Sequence, residues 1–269
     1  MANSDQDLKN IISDLLRAGG LAVEQLEERK ERTPDLRATY QDESYIIEIK
    51  SKLDNEELLR TEEERLASGE MVQHFEGTGR LSPIARVIED GVKQIRSLPP
   101  NHSDFRLLWL HAEGARPKLQ MQQFHGTLYG TTNIIEIDGP STTCYYFYQN
   151  ELYKFRHDLD GAVLTDGYEG QLCLNNFSPR ANGLRESFLA RSVFKDGICD
   201  PEALEREGRI FIADGEEDRN DSNAVIRFLQ KKYGRMKIMN MNMGYFELRS
   251  RRPVTGRGGA SNPTDQSDS

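Results

Sequence analysis

The chain has 269 residues, of which 36% are hydrophobic and 29% are charged, and its formal net charge is −9. This length can bury a sizeable core, either as one elaborated domain or as two small ones. The sequence has no apolar run of the roughly 18–20 residues that a membrane span needs, and its N-terminus lacks the basic start and apolar stretch of a signal peptide, so we expect a cytoplasmic protein without a membrane partner.

The first half of the chain predicts a helix, three strands, a helix and a strand, in that order. Apolar residues at Leu8, Ile11, Ile12, Leu15 and Leu16 follow the spacing of an amphipathic helix. The predicted elements are a helix over 7–17, strands over 21–28, 35–40 and 45–50, a helix over 82–97, a strand over 105–111, a short helix over 118–124 and a strand over 133–138. The polar stretch 41–44 is the expected hairpin loop, and the acidic segment 53–79 is an expected exposed excursion with one helix over 56–66.

The second half, from about residue 141, predicts shorter elements. Its aromatic segments 144–148 and 152–155 are expected to be two strands around a turn at 149–151. The remaining predicted elements are strands over 162–165 and 171–174, a helix over 184–194, a short helix from Pro201, a strand over 209–213, a helix over 223–233, and closing strands over 236–239 and 245–248. Residues 141–250 are therefore either an α+β elaboration of the first sheet or a second small domain. The tail 251–269 is poor in apolar residues and is predicted to be disordered.

Two short motifs carry the chemical information. Asp35 follows a proline at the start of one predicted strand, and Glu48 and Lys50 lie in the next. Side chains alternate faces along a strand, so Glu48 and Lys50 should line a cleft while Ile47 and Ile49 pack into the core. Two carboxylates and a substrate phosphate suit Mg²⁺, and a lysine beside them can stabilise charge or activate water. The same alternation is also typical of any half-exposed strand.

The order of elements, with Pro34-Asp35 and Glu48-Ile49-Lys50 in the second and third strands, resembles the PD-(D/E)xK nuclease superfamily. The resemblance covers roughly residues 5–138 and implies a nuclease-like core over 1–140. The implied fold class is α/β, with a restriction-endonuclease-like mixed central sheet flanked by helices and a C-terminal α+β extension. It also implies that Asp35, Glu48 and the Ile49 carbonyl bind Mg²⁺ or Mn²⁺, and that Lys50 activates water or stabilises charge.

Further residues acquire expected roles from the same resemblance. Many members have an acidic residue, usually Glu, on the first helix, and this chain offers Asp7 or Asp14 there. Some members have a glutamine on the helix after the lysine strand, where Gln94 lies in this sequence.

Basic and polar residues near the motif are candidates for nucleic-acid contact. We expect Lys52, Arg86, Lys93 and Gln94 to contact a nucleic acid, with Arg80 and Arg96 as further basic candidates. The alternative is an ordinary solvated helix face. The net acidity of the chain argues against nucleic-acid binding, but much of the acid is concentrated in 54–70 and 214–221, and binding depends on the local field.

The cysteines and histidines show no spacing typical of a metal or redox site. Cys144, Cys173 and Cys199 are odd in number and far apart, so we expect reduced thiols that serve as packing residues. The five histidines are scattered along the chain.

Two classes of function remain. In the first, the protein is a metal-dependent nuclease that hydrolyses DNA, with RNA not excluded, in restriction, repair or defence. In the second, it is a catalytically inactive module with the nuclease fold that binds a nucleic acid or a protein. Either class is compatible with a homodimer or a protein partner.

Overall fold

The computed structural model describes residues 2–27, 33–52, 56–77, 79–99, 101, 104–114, 116–137, 139–241 and 245–250. Within these ranges, the side chains of 2–4, 56–59, 73–76 and 245–250 are not described. The predicted disordered tail, 251–269, lies outside the described residues. None of the helices in these ranges has the length and apolar character needed to cross a membrane.

Helices and strands alternate along most of the described chain. In chain order they are α1 (Ala2–Ala18), β1 (Ala22–Gln25), β2 (Leu36–Tyr40), β3 (Glu43–Lys52), α2 (Glu56–Ala67), β4 (Val72–Gly77), α3 (Ser82–Arg96), β5 (Asp104–Ala112), α4 (Pro117–Tyr129), β6 (Thr132–Glu136), β7 (Ser141–Tyr145), α5 (Glu151–Lys154), β8 (Gly161–Thr165), β9 (Gly170–Leu174), α6 (Ala181–Glu186), a π-helical turn (Leu189–Val193), β10 (Ile198–Cys199), α7 (Pro201–Arg206), β11 (Ile210–Ile212), α8 (Ser222–Tyr233), β12 (Ile238–Met241) and β13 (Tyr245–Ser250).

The chain divides into two compact units. Of the described residues, those before 53 and those over 76–246 belong to the first unit, and those over 56–75 and 247–250 belong to the second. The second unit includes α2, which the sequence predicted, and most of β4 and β13, which pair as a two-stranded sheet. Strand β4 was not predicted, because its polar and charged residues fall in a segment whose acidity indicated an exposed excursion.

A seven-stranded mixed sheet forms the centre of the first unit. Its strand order is β1-β2-β3-β5-β8-β9-β10. The pairs β3/β5, β5/β8 and β9/β10 are parallel, whereas β1/β2, β2/β3 and β8/β9 are antiparallel. The prediction of an α/β fold with a mixed central sheet flanked by helices is confirmed. Strands from both sides of residue 140 belong to this one sheet.

Apolar side chains cover both faces of this sheet. One core cluster joins α1 to the Tyr45, Ile47 and Ile49 face of β3, and the other joins α3 and α4 to β5 and β8. Burial on both faces is the usual condition for parallel strands, because their crossover helices pack on the sheet. The prediction that Ile47 and Ile49 enter the core is confirmed, since both are buried.

The buried stripe of α1 is narrower than the sequence predicted. Leu8, Ile12 and Leu16 are buried at i, i+4 and i+8, but Ile11 and Leu15 remain 63% and 43% exposed. The apolar spacing therefore predicted the helix correctly, and the structure buries three of its five apolar positions.

The hairpin between β2 and β3 is tighter than predicted. Tyr40 pairs with Glu43, so only Gln41 and Asp42 form the turn, and Gln41 adopts a positive φ of 50°. The prediction of a four-residue loop over 41–44 was wrong, because no Asn-Gly or Gly marks this two-residue turn in the sequence.

A four-stranded sheet of order β11-β7-β6-β12 lies in the same unit. Strand β11 is parallel to β7, while β6 pairs antiparallel with both β7 and β12. Buried Val225 and Leu229 of α8 pack in one cluster with Ile134 and Ile238 of this sheet.

The predicted aromatic hairpin over 144–155 was wrong. Strand β7 ends at Tyr145, and Tyr146 has a positive φ of 60°, which turns the chain away from the strand. The segment predicted as the second strand is the helix α5, because the Asn150 side chain accepts a hydrogen bond from the Tyr153 N–H at 2.8 Å and caps the helix. Aromatic content favoured a strand, but the cap selects a helix.

The helix predicted over 184–194 is interrupted. Helix α6 ends at Glu186, because the ψ of 158° at its C-cap residue Ser187 is extended. The π-helical turn follows. The Ser187 hydroxyl donates a hydrogen bond to the Leu184 carbonyl at 2.8 Å, which offers the backbone an alternative to helix continuation.

Candidate active site

A cavity of about 420 Å³ lies where β3 passes beyond the start of β2. Helix α1 contributes to one side of it and α3 to another. Its polar wall is formed by Asp5, Lys9, Asp35, Glu48, Lys50 and Gln94. The structure thus brings together the three predicted catalytic residues, which are 15 positions apart at most along the chain.

The backbone places Asp35 against the motif strand. The Asp35 N–H donates to the Ile47 carbonyl at 3.1 Å, and the Ile49 N–H donates to Asp35 Oδ2 at 2.7 Å. Asp35 is therefore held by β3 through both its main chain and its side chain. The preceding Pro34 cannot donate to a ladder, which suits a residue just before a strand.

Glu48 is fully buried at the centre of the cavity wall. Lys50 Nζ lies 2.6 Å from Glu48 Oε1 as an ion pair, yet neither oxygen of Glu48 has a hydrogen-bond partner of good geometry among the described residues. Burial raises the pKa of Glu48 to about 8, and the nearby charge of Asp35 adds to this effect while Lys50 opposes it. A buried carboxylate with unused lone pairs is costly unless a cation or a proton compensates it.

Helix α3 contacts the Lys50 side chain through Gln94. The Lys50 ammonium donates a hydrogen bond to Gln94 Oε1 as well as contacting Glu48. Gly91, one turn earlier on α3, permits this close approach, because a Cβ there would lie 2.5 Å from Leu108 Cδ1 and 3.6 Å from Lys50 Cε. A larger residue at position 91 would push the helix away from the site.

Lys9 of α1 is a second cation in the cavity. Its Nζ lies 2.7 Å from Asp35 Oδ1, and the Lys9 side chain is 19% exposed. Asp35 and Glu48 are therefore each matched by one ammonium group. Lys9 was not predicted as a site residue, although its position one residue after the buried Leu8 places it beside the stripe that faces the sheet.

The acidic residues predicted on the first helix take other positions. Asp7 is exposed, Asp14 forms an exposed ion pair with Arg17 at 3.0 Å, and neither lines the cavity. Asp5 lines it instead. The predicted helix began at residue 7, whereas α1 extends back to Ala2, so Asp5 was left out although it is one turn before Lys9 on the same face.

The oxygen atoms of the site bear on whether it can hold a divalent metal ion. No group of three or more His, Cys, Asp or Glu side chains in the described part of the chain is arranged to hold one. Asp35 and Glu48 nevertheless supply two neighbouring carboxylates, and the oxygens of Glu48 have unused acceptor capacity. The Ile49 carbonyl points to the same side of β3 as its N–H, towards Asp35. Two carboxylates and a carbonyl fit Mg²⁺, which commonly keeps waters and binds substrate phosphate as well.

The predicted nucleic-acid contacts are spread over two elements. Gln94 lines the cavity and Lys52 ends β3, whereas Arg86 and Lys93 lie on the exposed side of α3. Lys93 is 3.0 Å from Asp90 Oδ1, so its charge is partly matched within the helix.

The two further basic candidates have acidic partners. Arg80 Nη2 lies 2.8 Å from Oε1 of the buried Glu151. Arg96 forms a bidentate ion pair with the Asp158 carboxylate. Both arginines therefore have a structural role that does not require phosphate.

No family model, curated protein or solved structure matches this chain.

Proposed function

We propose that this protein is a metal-dependent nuclease with a restriction-endonuclease-like fold. The observation that carries the proposal is the convergence of Asp35, Glu48 and Lys50 on one cavity, where Lys50 Nζ lies 2.6 Å from Oε1 of the buried Glu48 and the carboxylate keeps unused acceptor capacity. A buried acidic pair beside a lysine is an expensive arrangement for stability alone. It is a suitable arrangement for holding a cation next to a phosphodiester.

The residues would divide the chemistry as follows. Asp35, Glu48 and the Ile49 carbonyl would hold Mg²⁺ or Mn²⁺, which when bound supplies charge neutralisation and an oriented water. Lys50 Nζ would donate to a phosphate oxygen or exchange a proton with the attacking water. Gln94 accepts a hydrogen bond from Lys50 and would keep the ammonium aimed into the cavity.

The substrate would be a nucleic acid, with DNA as the first candidate. Lys9 and Lys50 place two ammonium groups in the cavity wall, where they can contact phosphate oxygens although the whole chain is acidic. Lys52 lies two residues further along the same face of β3 and can extend this contact.

A specific observation favours a second candidate, a nuclease-fold module that binds without chemistry. Lys9 and Lys50 already match the charges of Asp35 and Glu48, and metal binding has to displace Lys9 from Asp35. A module of this kind would bind nucleic acid or protein, and its two ion pairs would serve stability.

Cleavage assays distinguish the two candidates. The wild type and the variants Glu48→Gln and Lys50→Met would be incubated with supercoiled plasmid, linear duplex, single-stranded DNA and RNA in Mg²⁺, Mn²⁺ or EDTA. The nuclease proposal expects metal-dependent cutting that both variants lose by at least about a hundredfold, the scale of general acid–base and charge-stabilising groups.

Matched controls are available at exposed positions outside the cavity. Glu24→Gln and Lys195→Met make the same chemical changes and should keep wild-type cutting. If the folded wild type cuts none of these substrates and is not stabilised against heat by Mn²⁺, the nuclease proposal fails and the binding module takes its place.

A further inference from the structure

A second cavity, of about 950 Å³, lies between α4 and the four-stranded sheet. Its wall includes His125 of α4, Tyr145 of β7 and Gln171 of β9. Two free cysteines, Cys173 and Cys199, are buried next to these three residues. They have no part in the proposed nuclease chemistry.

Strand register brings the two cysteines together. Cys199 of β10 is the direct partner of Cys173 in the parallel β9/β10 pair. Directly paired residues lie on the same face, and both belong to one core cluster. Neighbouring strands are about 4.8 Å apart, which lies inside the roughly 4.4–6.8 Å range of Cα separations that a disulfide spans. The spacing of the two strands is therefore compatible with a disulfide between this pair.

Polar groups surround the Cys199 sulfur. His125 Nε2 lies 3.7 Å from Cys199 Sγ, and the Tyr145 hydroxyl lies 3.6 Å from it. Cys173 Sγ lies 3.7 Å from Gln171 Oε1. His125, Tyr145 and Gln171 also line the cavity, so each sulfur contacts at least one residue of the cavity wall.

The two thiols are electrostatically unequal. A hydrogen bond from Cys173, together with His125, holds the pKa of Cys199 well below its ordinary value, although burial opposes this. Burial raises the pKa of Cys173, and Cys199 adds to the increase. His125 and the Tyr145 hydroxyl beside Cys199 Sγ can stabilise a thiolate there, and the strand register places Cys173 where it can resolve the oxidised sulfur. Burial also raises the pKa of Cys144, which has no cysteine neighbour in its strand pairing.

We propose that Cys173 and Cys199 form an oxidation site that reacts with a small hydroperoxide and closes into a disulfide. With hydrogen peroxide, the Cys199 sulfur attacks one oxygen and the O–O bond breaks. The other oxygen leaves as hydroxide, which takes up a proton to become water. The product is Cys199 sulfenic acid. Cys173 sulfur then attacks the Cys199 sulfur, the S–O bond breaks, a second water leaves, and the disulfide forms. Two thiols lose two electrons and two protons, and the peroxide is reduced.

The disulfide would join an edge strand to the body of the sheet. Strand β10 has only two residues and pairs only with β9 in the seven-stranded sheet. Its last residue, Cys199, immediately precedes Asp200, the N-cap of α7. Oxidation would therefore tie the β10–α7 junction covalently to β9.

Peptide mapping of the full chain tests the proposal. The folded protein would be treated with hydrogen peroxide, alkylated under denaturing conditions and analysed by mass spectrometry without reduction. We expect a cross-linked peptide containing Cys173 and Cys199 that dithiothreitol releases, while Cys144 remains alkylated. Oxidation of Cys199 should be at least about tenfold faster than that of Cys144.

Variants test whether Cys173 and Cys199 are oxidised because they are adjacent or because any cysteine of the protein is oxidised. Cys144→Ser should keep the cross-link, whereas Cys173→Ser should leave Cys199 as a sulfenic acid that dimedone labels. His125→Gln should slow the reaction, and circular dichroism would check that each variant is folded. Three results would overturn the proposal: equal oxidation of Cys144, over-oxidation of Cys199 without a cross-link, or no thiol loss in the folded wild type.

Discussion

The Lys9 ammonium of α1 lies 2.7 Å from Asp35 Oδ1, so the first helix supplies a cation to the carboxylate that would hold a metal ion. Both side chains are largely buried, at 19% and 9% exposed. An ion pair in such surroundings is stronger than one on the surface, because the effective dielectric constant is lower. Helix α1 therefore supplies the cation that pairs with Asp35 in the metal-free site, and on the proposed function it would compete with a metal for this carboxylate.

Removing the Lys9 charge should tighten metal binding. In Lys9→Met the aliphatic stem is kept while the competing ammonium is lost, so we expect the Kd for Mn²⁺ to fall about tenfold, or about 1.4 kcal/mol. Isothermal titration calorimetry at fixed pH measures this directly. The exposed Lys195→Met variant should match the wild type. Weaker binding in Lys9→Met would mean that Lys9 supports the bound metal rather than competing with it.

The stability of the metal-free protein should depend on the protonation of Glu48. The pKa of Glu48 is 4.5 in its ordinary state and about 8 in the folded protein. Between these values the folded state holds a proton that the unfolded state has released, so stability falls as pH rises through this window. Glu48→Gln has no carboxyl proton to release. Its free energy of unfolding relative to wild type should therefore increase, by up to about 5 kcal/mol, as the pH rises from acidic to mildly alkaline.

Urea denaturation in EDTA across this pH range measures the effect. The exposed Glu24→Gln variant is the matched control and should follow the wild-type curve. Parallel pH curves for the wild type and Glu48→Gln would show that Glu48 does not bind this proton.

Gly91 should be required by the contact between α3 and β5. Alanine is the better helix former by roughly 1 kcal/mol. Here, however, its Cβ would lie 2.5 Å from Leu108 Cδ1, and overpacking a core costs about 1–3 kcal/mol. We therefore expect Gly91→Ala to destabilise the protein by about 1 kcal/mol in urea denaturation.

A double variant tests this explanation. Leu108→Val removes the atom that clashes, so Gly91→Ala should cost less in that background than in the wild type. Gly79→Ala is a control, because its Cβ would have no neighbour within 4 Å. An equal cost in both backgrounds would exclude the Leu108 contact as the cause.

Arg80 should be needed to compensate a buried charge. Its Nη2 and Nε lie 2.8 and 3.1 Å from Glu151 Oε1, and the Glu151 side chain is only 1% exposed. Arg80→Met leaves Glu151 without this partner, although Lys154 Nζ remains 3.7 Å from Oε2. We expect a loss of about 3 kcal/mol, measured by urea denaturation at neutral pH.

Neutralising both partners should recover most of this loss. The double variant Arg80→Met/Glu151→Gln has no unpaired buried charge and should be more stable than Arg80→Met alone. Arg209→Met, which removes an exposed pair with Glu207, should change stability by less than about 1 kcal/mol. A double variant no more stable than Arg80→Met would assign the loss to packing.

Part of the candidate site could be predicted because it depends on neighbours in the chain. The alternation from Tyr45 to Lys50 placed Glu48 and Lys50 on one face, and a short hairpin necessarily brings Asp35 near them. Gln94 was also expected at the site, through the resemblance. Lys9 and Asp5 were missed, because only the packing of α1 against the sheet decides which of its polar residues reach the cavity.

The sequence by itself determined the local periodicities: the motif strand with its buried isoleucines, the N-terminal helix and the α/β character of the chain. Tertiary structure alone decided that Glu48 is buried, that Lys9 faces Asp35 and that β9 and β10 align Cys173 with Cys199. Periodicity follows from the fixed geometry of adjacent residues, whereas these contacts join positions far apart in the chain, whose proximity depends on the packing of the whole sheet.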